Sequence, residues 1–146
     1  MIALFILTGC NEQAATTGSS SASSNEKPPS LTLIVDEKEI NMQRGGYSWS
    51  YFDKESGQTV TTETDHAPPN EMVNIEDGIA LHLEEGISLN FEIEPNNYEI
   101  QLWDATEVIA TYKEFADIEQ RGKYIVVVIG NWEEDTVTYV KAFDIQ

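Results

Sequence analysis

The chain has 146 residues, of which 40% are hydrophobic and 10% aromatic, so it holds enough apolar surface for one ordinary domain and is not wholly disordered. Its 26 acidic and 8 basic residues give a net charge of -18, which repels phosphate backbones and anionic head groups. This charge excludes nucleic acid as an expected partner and favours a protein or a cationic species.

The N-terminus resembles a bacterial lipobox. An apolar run ends in Leu7, Thr8, Gly9 and Cys10, and the sequence turns polar directly after the cysteine. In a lipobox, a leucine three places before the cysteine and small residues just before it fit the signal peptidase, and the cysteine becomes the lipid-bearing N-terminus. The resemblance implies a protein held on the outer face of the cell membrane by lipid on Cys10, the only cysteine of the chain.

The segment around this motif predicts three regions. No Lys or Arg precedes Cys10, although a signal peptide ordinarily opens with one, so we expect the natural start to lie upstream of Met1. Residues 14–24 are almost wholly Ala, Thr, Gly and Ser, a composition with nothing to bury. We therefore predict a signal peptide at 1–9, a lipidated cysteine with a flexible tether at 10–30, and one folded domain at 31–146.

From Leu31 onward, short β-branched and aromatic runs alternate with turn residues, which is typical of all-β domains. Runs at 31–35 and 39–42 flank three polar residues and predict a tight hairpin. Gly45 and Gly46 are expected to break the chain after this hairpin.

An alternating strand is predicted at 47–51, with its three aromatic side chains on one face. The polar stretch at 53–74 predicts a long, partly irregular excursion that contains an edge strand at 59–64.

Alternation returns over residues 79–83, where Ile79, Leu81 and Leu83 define a core face and His82 should point away from it. Further strands are predicted at 87–93 and at 98–102. A weaker run follows at 108–112.

The final third gives the clearest prediction. Residues 124–129 are almost continuously apolar, which is typical of a central strand covered on both faces. An acidic turn at 133–135 should fold a partner strand, 136–145, back beside it, and 114–120 has room for one short helical turn.

These runs predict an all-β, immunoglobulin-like antiparallel two-sheet sandwich of about seven to nine strands. Gly122, Lys123 and Tyr124 resemble the sixth-strand signature of such domains, in which the tyrosine hydroxyl bonds back to the preceding corner. A small barrel would use many of the same runs and stays an alternative.

A wider pattern of aromatic and turn residues resembles small uncharacterised lipoproteins of Gram-positive bacteria. The segments that carry it are Gly46-Tyr47-Ser48-Trp49, Phe91-Glu92-Ile93-Glu94-Pro95, Leu102-Trp103-Asp104, Gly122-Lys123-Tyr124 and Trp132. The resemblance implies an extracytoplasmic, membrane-anchored domain and brings no catalytic residues. Members of that group often carry cysteines near the first tryptophan, where this chain has Ser48.

Five residues are candidates for a ligand or partner surface. His66 lies in the polar excursion beside an acid, and Trp132 ends a strand next to Glu133, Glu134 and Asp135. Since the chain has 26 acidic residues, carboxylate pairs arise by number alone and most belong to a solvated face. We predict no catalytic residue, cofactor or metal, because no serine lies in a G-x-S-x-G turn and no calcium-loop motif is present.

The leading hypothesis is a non-enzymatic binding or scaffolding module at the interface of membrane and cell wall, with a protein or cationic partner. The alternatives are a metal-dependent or carboxylate-based hydrolase of wall polymers, a calcium-binding domain and an inhibitor-like sandwich.

The lipid anchor is tested by the mass of the native protein. We expect an N-terminal Cys10 carrying acyl groups, because the lipobox directs cleavage just before it. An unmodified chain that begins at or before Met1 would overturn the prediction.

Overall fold

The computed structural model describes residues 25–146 and is nearly all β. Its ten strands are β1 (Leu31–Val35), β2 (Lys38–Asn41), β3 (Gln43–Asp53), β4 (Gln58–Thr64), β5 (Ile79–Leu81), β6 (Ile87–Phe91), β7 (Asn97–Trp103), β8 (Val108–Tyr112), β9 (Gly122–Trp132) and β10 (Asp135–Ile145). A short helix α1 (Pro69–Met72) and 3-10 turns at Ile75–Asp77, Leu83–Glu85 and Phe115–Asp117 lie in the connections.

The strands form two sheets. The small sheet has the order β2-β1-β6, and the large sheet has the order β4-β3-β10-β9-β7-β8. Within the described residues every pair is antiparallel except β5, which runs parallel to β10. The predicted all-β two-sheet sandwich is confirmed, with ten strands where about seven to nine were expected.

The hairpin of β9 and β10 is the centre of the large sheet. The two strands pair without interruption from Gly122 with Ile145 to Trp132 with Asp135. The turn between them is tight, and Glu133 adopts a φ of 43°. Because β9 lies between β10 and β7, the prediction of a central strand followed by a hairpin partner is confirmed.

The other local predictions are mostly confirmed. The β1–β2 hairpin turns on Asp36 and Glu37, whose φ values of 47° and 67° fit a primed two-residue turn. The Thr-rich run forms the edge strand β4, and Phe115–Asp117 supplies the short helical turn. The expected core face of residues 79–83 is wrong at Ile79, which is 42% exposed, whereas Leu81 is fully buried.

The main core lies between the two sheets. Its fully buried side chains come from both sheets and include Leu31 and Leu33 of β1, Trp49 of β3, Leu102 of β7 and Phe143 of β10. The opposite face of the large sheet carries a smaller cluster of Ile125, Val127 and Val140. We call the first surface the inner face and the second the outer face.

Aromatic rings join the two sheets across the inner face. Phe91 of the small sheet lies 5.8 Å from Trp132 and 5.9 Å from Tyr139 between ring centroids, both edge-on. Trp132 in turn meets Trp49 edge-on at 5.6 Å, and its indole nitrogen donates to the Ile93 carbonyl. Edge-on pairs at these distances are favourable beyond the area they bury, so this cluster fastens the sheets to each other.

Gly45 and Gly46 do not interrupt the chain as predicted, because both lie inside β3. A Cβ atom on Gly45 would lie 3.3 Å from the Thr138 carbonyl oxygen. Gly78 meets a stronger constraint, since a Cβ there would lie 2.7 Å from the backbone of Phe143. These glycines allow close approach of backbones within the sheet.

The folded unit starts earlier than the predicted boundary at residue 31. Pro28 and Pro29 are buried. The Trp49 indole nitrogen donates to the Asn25 carbonyl at 3.0 Å, and the Arg44 guanidinium donates to the Pro28 carbonyl at 2.5 Å. The last residues assigned to the tether are therefore part of the domain.

A buried tyrosine hydroxyl completes this attachment. Tyr139 donates to the Pro29 carbonyl at 2.6 Å, and burial raises the pKa of Tyr139, so the hydroxyl keeps its proton. The corner bond expected of Tyr124 is not found, because within residues 25–146 its hydroxyl makes no hydrogen bond. The segment before β1 is therefore held by Tyr139 of β10 and not by Tyr124 of β9.

Replacing Tyr139 by Phe should lower the free energy of unfolding by about 1–3 kcal/mol, because it leaves the buried Pro29 carbonyl without its donor. Tyr124→Phe is the matched control and should change stability by less than about 0.5 kcal/mol. Urea unfolding of the full chain measures both. Equal losses in the two variants would contradict this role of Tyr139.

Candidate functional site

A groove of about 500 Å³ lies on the outer face of the large sheet. Its floor is formed by Thr136, Thr138 and Val140, which alternate along β10 with the inner-face residues Val137 and Tyr139. The walls come from β3, from the end of β4 and from the segment that follows β4. The groove thus combines residues that are far apart in the sequence.

The lining of the groove is acidic and hydroxyl-rich with apolar edges. The lining residues with polar side chains are Tyr47, Ser48, Glu63, Thr64, Asp65, His66, Thr136 and Thr138. The apolar ones include Ala67, Pro68, Pro69, Met72 and Val140. No lysine or arginine lines it in the described part of the chain, so its two carboxylates have no cationic neighbour among the lining residues.

His66 lines the groove next to Gly46. A Cβ atom at Gly46 would lie 3.3 Å from the Thr64 carbonyl oxygen, which is a tight contact, and 3.5 Å from the His66 ring carbon Cδ2, which is an ordinary one. The glycine thus suits the close approach of the β4 backbone to β3 beside the imidazole. The glycine pair predicts a chain break, whereas the structure places it inside β3.

The segment after β4 is fixed to the outer face by apolar packing. Met72, Val73 and Ile75 pack on the cluster of Ile125, Val127 and Val140. The Asn70 side chain donates to the Ala105 carbonyl at 3.0 Å. The predicted irregular excursion therefore forms a wall of the groove.

The structure separates the predicted surface residues. His66 lines the groove, whereas Trp132, Glu133, Glu134 and Asp135 do not. Trp132 is only 8% exposed and belongs to the core between the sheets. Its side chain is therefore unavailable to a partner.

Asp135 is also buried, at 6% exposure, and its carboxylate accepts a hydrogen bond from the Ser50 backbone N–H at 3.1 Å. This bond ties β10 to the middle of β3. Glu133 and Glu134 remain exposed in the turn. The acidic run is thus one structural carboxylate next to two solvated ones.

The groove is lined by serine, histidine and carboxylate residues, which are residue types that some hydrolases use. Ser48 and His66 both line it, and in residues 25–146 no hydrogen bond joins them. Among the same residues no group of three or more His, Cys, Asp or Glu side chains is placed to hold a metal ion. The carboxylates and hydroxyls of the lining can accept hydrogen bonds from a cationic or hydroxyl-bearing group.

Cys10, the predicted lipidation site, lies outside the described residues. Across residues 25–146 no helix has the length and apolar character needed to cross a bilayer.

No family model, curated protein or solved structure matches the chain.

Asp135→Ala should lower the free energy of unfolding by about 1–3 kcal/mol, because it leaves the Ser50 N–H without its acceptor. Asp135→Asn keeps an acceptor oxygen and should recover much of the loss. Glu134→Ala, in the same turn but exposed, should stay within about 0.5 kcal/mol of the native chain. Thermal or urea unfolding reports all three, and a loss for Glu134→Ala as large as for Asp135→Ala would refute the assignment.

Proposed function

We propose that this protein is an extracytoplasmic, membrane-anchored lipoprotein whose sandwich is a non-enzymatic binding module. In this proposal the outer-face groove holds a lysine- or arginine-bearing segment of a partner protein. Lipid on Cys10 would keep the module on the outer face of the cell membrane, and the Ser-rich stretch would give it reach.

The observation that carries the proposal is the charge of the groove. Glu63 and Asp65 line it without a lysine or arginine among the lining residues of the described chain. The net charge of -18 adds a negative field around it, which draws a cationic segment and speeds its encounter. A volume of about 500 Å³ also lies within the range of ligand sites in proteins.

The apolar parts of the groove favour a side chain over a bare cation. Lysine and arginine carry aliphatic stems that pack along apolar surface while their charged heads reach polar partners. Met72, Pro68 and Pro69 supply such a surface, and the carboxylates line the same groove. The hydroxyls of Thr136 and Thr138 add acceptors for ammonium or guanidinium groups.

The proposal is tested with an oligolysine peptide as the probe and isothermal titration of the full chain. Glu63→Gln with Asp65→Asn should weaken binding roughly tenfold, because two charged contacts are lost. Thr138→Tyr should weaken it as well, since the larger side chain fills the floor and leaves the charge unchanged.

The matched control is Glu84→Gln with Glu85→Gln, which removes two charges from an exposed 3-10 turn that does not line the groove. It should bind as the native chain does, to within about twofold, because it removes the same number of charges from the surface but none from the groove lining. Equal weakening by both double variants would mean diffuse attraction to the whole surface and would overturn the proposed site.

A further inference from the structure

The last strand of the large sheet, β8, presents an unusually open edge. In the strand order of the large sheet, β4 is the last strand on one side and β8 is the last strand on the other. β4 carries Glu63 on its edge, whereas β8, with the sequence VIATY, has no charged residue. Val108 and Ile109 are 39% and 41% exposed. Natural sheet edges are usually blunted by charges, proline or bulges. β8 has neither charge nor proline, and its single register shift lies beside Ile109, so residues 110–112 are suited to pairing with another strand.

The small sheet does not show the same feature. Its edge β2 carries Lys38 and Glu39. Its other edge, β6, is uncharged, but the exposed positions there are Ser88 and Asn90. Among the described edges, β8 and the three-residue β5, whose Ile79 is 42% exposed, combine missing charge with exposed apolar side chains, and β8 is the longer of the two.

The residues that flank β8 have opposite charges at equal distances from its centre. Glu107 lies three positions before Ala110 and Lys113 lies three positions after it. Both side chains are exposed, and within residues 25–146 neither takes part in an ion pair. A strand with this arrangement is complementary to an antiparallel copy of itself.

We propose that β8 is a self-association edge, to which a second copy of this chain adds its own β8 antiparallel about a two-fold axis at Ala110. In that register Glu107 faces Lys113 of the partner subunit, and symmetry gives the reverse pair as well. Val108 and Ile109 become covered, and the two large sheets join into one continuous sheet. This inference does not rest on the proposed function.

The charges also fix the register. A shift of the two-fold axis by one residue places Glu107 opposite Thr111 or Phe115 of the partner subunit, so both ion pairs are lost. Each cross-strand pair of opposite charge is favourable, and like charges directly opposite each other are unfavourable. The β7–β8 ladder changes register beside Ile109, so the shared pairing is short and the dimer should be weak and dependent on concentration.

Sedimentation equilibrium of the full chain over a range of concentrations tests the proposal. The native chain should show a monomer–dimer equilibrium. Glu107→Lys and Lys113→Glu should each weaken dimerisation roughly tenfold or more, because each turns two attractive pairs into two repulsive ones. The double variant with both substitutions restores opposite charges and should recover the native dimer constant to within about threefold.

The net charges of the variants distinguish the proposed pairing from general repulsion between two acidic chains. Glu107→Lys makes the chain less negative than its native -18, so a purely general repulsion predicts a tighter dimer where the proposed pairing predicts a weaker one. Lys54→Glu makes the same charge change as Lys113→Glu but lies in the exposed turn after β3, and it should leave the dimer constant unchanged. A native chain that is monomeric at all concentrations would overturn the proposal. So would a dimer that is indifferent to both single substitutions, or a double variant no better than the singles.

Discussion

The β9–β10 hairpin is the constraint on which the rest of this fold depends. β10 pairs with β9 along its whole length, with β3 over its first half and with β5 at its end. Both faces of the hairpin are covered, since Val126 and Val128 lie in the inner core while Ile125 and Val127 lie in the outer cluster. Burial of apolar surface is the dominant favourable term in folding, and this hairpin buries apolar side chains on both of its faces.

The same hairpin positions the groove. Because successive residues of β10 point to opposite faces, the strand that buries Val137 and Tyr139 necessarily presents Thr136 and Thr138 outward. The outer surface is apolar where Met72 and its neighbours pack on it and polar where they do not. The groove lies at this boundary, so one strand contributes both to the core and to the floor of the groove.

Sequence patterns predicted the sheets well and the groove poorly. A continuous apolar run at 124–129 has one plausible environment, a strand covered on both faces, and the structure agrees. Ser48, His66 and Thr138 meet in the groove because of the strand order and the close approach at Gly46. The local periodicity of the sequence predicts neither of these. Nothing in an acidic run identifies which carboxylate meets a backbone N–H of another strand, so the sequence predicts Asp135 at the surface, whereas the structure buries it.

The proposed function requires that cationic segments bind in this one groove and are not held by the general charge of the surface. Two-dimensional ¹H–¹⁵N NMR of the full chain during addition of an oligolysine peptide distinguishes the two. Binding in the groove should give saturable shifts concentrated at the backbone amides of His66, Thr136 and Thr138. Small, unsaturated shifts spread equally over exposed acidic turns such as Glu84 and Glu85 would rule out the groove as the site.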